Sequence, residues 1–304
     1  MGQSIDTQVA DAISQLEDVW EAPVAVVASN WQQERAVDLT RQAGRHFYDA
    51  VSSVDAQDEG LVLFLMGRGG EVSFADTLHR TLRASEHSVQ AVVSQPVDGV
   101  YTLVALSADS IDFVGTGALG AYDTGPVETQ LGRLDLETAA ALREAGWAPD
   151  STNPHHPRMA VHAHARQLAR EMLERVLSGE SDEFRARIGR HLGVERLGQQ
   201  MTLDADELAA LGLEASRLDG ERREAALDLH GALERWLELR GPTEPRYEET
   251  GPGGEVEFEP ARDIPGAFVG TLDHHATYLM DTGQPHPDTE VLDGEWEVGS
   301  GSEN

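Results

Sequence analysis

The sequence contains no lysine and no cysteine, so all 23 of its basic residues are arginine. Without lysine there is neither a Ser-Lys dyad nor a Schiff base, and without cysteine there is no thiolate nucleophile. Disulfides and cysteine-ligated zinc are excluded with them. Covalent chemistry is left to Ser, Thr, Tyr, His or a carboxylate. Long apolar runs are missing too: none approaches the roughly 20 residues that span a bilayer. The N-terminus has neither a charged n-region nor an apolar h-region, so no signal peptide and no membrane partner are expected.

What the chain has instead is acid. Its 304 residues include 54 Asp and Glu, for a formal net charge of -31. Such a charge opposes compaction at low salt through self-repulsion. Concentrated salt shortens the Debye length to roughly 3 Å and removes most of that cost. The acids are spread along the chain rather than blocked at one end. That favours a halophilic, salt-accumulating cytoplasm over an acidic interaction tail. An acidic surface repels phosphate backbones, so nucleic acid is not an expected partner. No basic patch stands out in the sequence. The length permits one large domain or two small ones.

Apolar spacing predicts a helix over 5–20, and Val24–Ser29 reads as a first core strand. A helix is expected over 33–51. Leu61–Met66 is apolar at every position, as in a parallel strand covered on both faces. A helix over 72–85, a strand over 89–93, a helix over 100–108 and a strand over 110–114 follow. Strand alternating with helix points to βαβ crossovers and an α/β layered fold. From Leu134 to Leu239 the pattern is mainly helical, clearest over 159–177 and 221–239. Thr202 or Asp204 is placed to cap a helix that Gly212 ends. The expected organisation is an α/β core over 1–130, a helical part of the same domain over 131–240, a linker over 241–262, a hairpin over 263–287 and an acidic disordered tail over 288–304. No internal repeat is present.

The densest signal runs from Leu61 to Asp123. An apolar strand ends in Gly67-Arg68-Gly69-Gly70. Asp98-Gly99-Val100-Tyr101-Thr102-Leu103 and Ala105-Leu106-Ser107-Ala108-Asp109 come about thirty residues on. Leu119-Gly120-Ala121-Tyr122-Asp123 closes the block. This pattern resembles the serine dehydrogenase proteinase (SDH) family of Clp-fold serine proteases, relatives of ClpP and signal peptide peptidase A. The resemblance implies a ClpP/crotonase-like spiral of βαβ units with a mainly helical C-terminal half. It also implies an oxyanion-type cradle made by the amides of Gly69 or Gly70 with Val100, and a homo-oligomer. The family's serine falls on Gly99 and its neighbouring lysine on Asp98. The family usually has a histidine before the segment that begins at Met201; Arg196-Leu197-Gly198-Gln199 stand there instead.

Glycine has no side-chain atom with which to attack a carbonyl. Two convergent amides at a helix start remain an anion site without it; the plainer reading is a tight strand-to-helix turn. Asp98 is either a carboxylate seated in that site as a cap, or a general base, which requires a raised pKa. Asp123 is either a polar partner of the site or a turn residue. Thr102 is placed to bond back to a carbonyl, and Ser94 lies too early to replace the missing hydroxyl. His155, His156, His162 and His164 lack the i, i+4 spacing with a carboxylate that zinc helices use, so no metal is expected. Gly67–Gly70 is not a P-loop, 115–120 is no dinucleotide fingerprint, and no cofactor is implied.

The leading expectation is a catalytically inactive protease homologue that acts as an oligomeric binding or scaffolding protein, pairing with itself, an active paralogue or a peptide. The alternative is an active hydrolase or a crotonase-type acyl-thioester enzyme with Asp98 and Asp123 as its acid and base. A protease with a displaced nucleophile, Thr102 or Ser94, is the third.

Overall fold

The computed structural model describes residues 6–31, 39–55, 60–123, 156–197, 201–237, 247–250, 255–258, 264–280 and 294–300. The first half alternates helix and strand: α1 (Thr7–Trp20), β1 (Val24–Ser29), α2 (Arg41–Ser52), β2 (Gly60–Met66), α3 (Val72–Ala84), β3 (Ser88–Val93), β4 (Pro96–Val97), α4 (Val100–Ala105), β5 (Ser110–Phe113) and β6 (Ala118–Leu119). The second half supplies α5 (His156–Val176), α6 (Asp182–His191), α7 (Val194–Leu197), α8 (Ala205–Ala210), β7 (Ala215–Arg217) and α9 (Gly220–Trp236). Five strands follow: β8 (Tyr247–Thr250), β9 (Glu255–Phe258), β10 (Ile264–Gly270), β11 (His274–Met280) and β12 (Gly294–Ser300).

The main sheet has eight strands in the order β12-β11-β10-β1-β2-β3-β5-β7. β1, β2, β3, β5 and β7 pair in parallel, with Val26 opposite Phe64 and Phe64 opposite Val92. β10, β11 and β12 extend the sheet antiparallel beyond β1. β4 and β6 form a separate parallel pair, and β8 and β9 an antiparallel one. The fold is mixed α/β.

Every residue of β1 is buried, and β2 is buried from Leu61 to Met66. The pleat divides them between two cores. Leu61, Leu63 and Leu65 join Phe47 of α2, Phe74 of α3, Tyr101 of α4 and Met172 of α5. Val62, Phe64 and Met66 join Ile13 of α1 and Leu229 of α9 on the other face. Each fully buried Leu or Phe side chain contributes roughly 1.5–3 kcal/mol by leaving water.

The helix caps follow the sequence chemistry. Asp6 accepts from the amides of Gln8 and Val9, and Thr40 from Gln42. Asp204 and Glu207 form a reciprocal capping box at α8. α4 is shorter than expected, six residues rather than nine, and passes into a turn at Leu106. The span expected to be linker, 241–262, contains β8 and β9. The tail expected to be disordered, 288–304, contains β12, whose seven residues pair with β11 over their whole length. A composition rich in Gly, Glu and Ser does not read as a strand; the ladder offered by β11 makes it one.

Burial holds His46, His79 and His275 below the ordinary imidazole value of 6.5. The folded state therefore binds fewer protons than the unfolded chain, so stability is complete above 6.5 and is lost as pH falls from there toward the lowered folded values. His275 is 4% exposed and stacks on Phe268 at 5.3 Å between ring centroids. The melting temperature should fall as pH drops below 6.5, and His275→Leu should flatten that fall; a pH-independent melting temperature below 6.5 would contradict the assignment.

Candidate functional site

The parallel strands carry three connections to one end of the sheet. β2 leads into Gly67–Gly70 and then α3. β3 leads through Ser94–Gly99 into α4. β5 leads through β6 to Asp123. Open α/β sheets place their ligand crevices at such strand ends.

Backbone hydrogen bonds lock the three connections together. Gly99 N–H donates to the Ala121 carbonyl at 2.9 Å and Gly120 N–H to the Val97 carbonyl at 2.7 Å. Val100 N–H donates to the Gly69 carbonyl at 3.2 Å. Gly69 N–H donates to the Asp98 carboxylate at 3.1 Å. The residues singled out in sequence, Gly69, Asp98, Gly99 and Val100, therefore meet in one place. Gly99 sits at φ 60, ψ -129, a strand-to-helix elbow that favours glycine and resembles the strained turn on which some hydrolases present a nucleophile. Gly70 has φ 94, and a Cβ there would stand 2.5 Å from Val100 Cγ2.

The cradle differs from expectation in its occupancy. The Val100 amide points at Gly69 and the Gly69 amide at Asp98, so these two of the three candidate donors are satisfied within the chain. With only six residues, α4 is too short to add a substantial dipole at this turn. Asp98 clamps the glycine loop rather than capping α4, whose start has no side-chain cap.

Asp123 lies in a turn, its side chain 1% exposed, and accepts from Arg166 Nη2 at 3.2 Å and Nε at 3.3 Å. Arg166 comes from α5. Nothing in the sequence marks it beyond its place on an amphipathic helix. Thr102 is fully buried; in place of a back-bond within its own helix it donates to the Gly120 carbonyl at 3.1 Å and lies 3.4 Å from the Val97 carbonyl. Tyr101, also fully buried, donates to Ser29 Oγ at 2.7 Å.

Ser94 has a base that sequence reasoning missed. Its hydroxyl lies 2.9 Å from His230 Nδ1, and His230 Nε2 lies 3.4 Å from Glu234. His230 is 136 residues away, so no local motif reveals the pair. The constellation belongs to α9, on the sheet face opposite α4. Ser94 is 3% exposed, and the side chains of His230 and Glu234 are 18% and 17% exposed. We read the three as a polar clamp that seats α9 on the end of β3.

Of the histidine cluster, His155 lies outside the described residues, and His156, His162 and His164 fall on α5. Among the described residues, no three His, Asp or Glu gather as metal ligands, and no helix is long and apolar enough to cross a membrane.

No protein-family profile and no curated protein matches the sequence. Among solved structures, the chain is similar to a point mutant of ClpP1 from Listeria monocytogenes, at TM-score 0.41 and 10% identity, over 69% of this chain and 98% of that one. It is similar to a point mutant of a membrane-bound stomatin-specific protease, at TM-score 0.41 and 13% identity, over 65% of this chain and 80% of that one. It is also similar to an enoyl-CoA hydratase/isomerase from Marinobacter aquaeolei, at TM-score 0.36 and 15% identity, over 71% of this chain and 75% of that one.

Two outcomes separate the clamp from the ion pair. Arg166→Met removes both guanidinium hydrogen bonds from a buried carboxylate and should cost about 3–5 kcal/mol in denaturant unfolding. Asp98→Ala leaves the part-buried Gly69 amide without its acceptor and should cost about 1–3 kcal/mol, with Asp98→Asn recovering part of the loss. Equal losses would show that Asp98 is held by more than the Gly69 amide.

Proposed function

We propose that this chain is a hydrolytically silent member of the Clp-fold serine-protease lineage, of the serine dehydrogenase proteinase type. It works as a cytoplasmic, homo-oligomeric binding or scaffolding protein whose partners are copies of itself, an active paralogue or a peptide. One observation carries the reading. At the elbow where a nucleophile would stand, Gly99 offers no side chain, and of the expected cradle amides those of Gly69 and Val100 bond to Asp98 and Gly69. An oxyanion hole requires donors aimed at the developing charge and free to meet it. The absence of lysine removes the usual base of such a dyad.

The crotonase-type alternative needs Asp98 and Asp123 as acid and base. Asp98 holds the glycine loop and Asp123 holds Arg166, so the geometry does not favour it. Self-association draws support from the sheet edge: β12 is a terminal strand, and Val298 on it is 63% exposed.

The test uses full-length protein in multimolar salt, with peptide and acyl-ester substrates, a fluorophosphonate probe and light scattering. The expected result is no turnover, no labelling and a mass several times that of the 33.0 kDa chain. Turnover abolished by Asp98→Asn or Asp123→Asn, or covalent labelling of Ser94, would overturn the silent reading; a monomer would overturn the scaffold.

A further inference from the structure

Beside Asp123 the surface opens into a cleft of about 400 Å³, and its walls carry guanidinium groups from three elements: Arg170 of α5, Arg190 of α6 and Arg196 of α7. In a chain of net charge -31, three arginines around one concavity run against the surrounding field. The sequence shows no basic patch because these residues are spread over three separate helices.

Several features bear on the charge of Arg190 and Arg196. Asp123, the acid in the wall, is 1% exposed and already bound to Arg166. Among the described residues no carboxylate pairs with Arg190 or Arg196. His191 is held below the usual imidazole range by desolvation and then by the nearby charges of Arg196, Arg190 and Arg187. Tyr122, pushed up to about 12 by burial and then by Asp123, stays a neutral phenol hydrogen-bonded to Arg170. A Cβ at Gly193 would meet the Gly189 carbonyl oxygen at 2.8 Å, so the glycine lets this corner of the wall pack closely.

We propose that this cleft binds a small organic anion bearing carboxylate or phosphate groups, held by Arg170, Arg190 and Arg196. Guanidinium forks match both groups in bidentate geometry. The volume lies in the range of roughly 300–1,000 Å³ typical of small-molecule sites, larger than a bare phosphate needs. A low-dielectric cleft with an excess of positive charge concentrates counter-ions even on an oppositely charged protein. The site does not require residues 98–100 to be silent, and its readout is binding rather than turnover.

The experiment is calorimetric titration of the full-length protein with pyrophosphate and, separately, with citrate, at constant ionic strength. Saturable binding of one or both is expected, and the stronger probe identifies phosphate or carboxylate as the preferred group. Binding should weaken about tenfold or more in the Arg190→Gln/Arg196→Gln double variant. It should be unchanged in Arg222→Gln, a control on α9 whose guanidinium lies over Trp20. Both target side chains are exposed, and an unchanged melting temperature confirms that the double variant is folded. No saturable binding of either probe, undiminished binding in the double variant, or an equal loss in Arg222→Gln overturns the proposal.

Discussion

Burial on both faces of β1, β2 and β3 is the constraint on which the rest of the molecule depends. Strands whose side chains leave water in both directions must be covered by helices above and below, and parallel pairing with crossover helices supplies that cover. α2, α3, α4 and α5 take one face and α1 and α9 the other. The same arrangement delivers the loops after β2, β3 and β5 to one end of the sheet. The meeting of Gly69, Asp98, Gly99 and Val100 follows from this parallel order and from the glycines that let the backbones approach.

At that meeting point the chain has closed on itself. An amide facing an empty crevice is usually satisfied by water or a ligand. Here one amide takes a carboxylate from the next connection and the other takes a carbonyl from the glycine loop. The arrangement joins two loops firmly. Asp123 and Arg166 make a second join nearby, between the end of the β6 connection and α5. The loops around the elbow are thus braced from two directions.

The alternating half of the fold was legible because its strands and helices carry strong, unbroken patterns. Leu61–Met66 has no polar position, and α3 repeats Phe74, Leu78 and Leu82 at helical spacing. The glycine-loop, elbow and Asp123 positions were legible from motif spacing, and Asp204 from capping chemistry. What was hidden depends on distant partners. The partner of Ser94 is invisible until α9 brings His230 to it. Arg166 is one of 23 arginines until Asp123 is buried against it. β7, three residues long, is a strand only because β5 offers an edge. β12 and the arginine cleft likewise exist only through pairings that no local window contains.

The position of β10 in the sheet has a consequence for biosynthesis. β1, among the first elements made, lies between β2 and β10, and β10 begins at Ile264. While the ribosome adds the residues in between, β1 has one neighbour and a bare flank of apolar backbone. Long-range pairings of this kind form late, and uncovered flanks recruit other chains. A nascent copy stalled before β10 would thus be an aggregation seed.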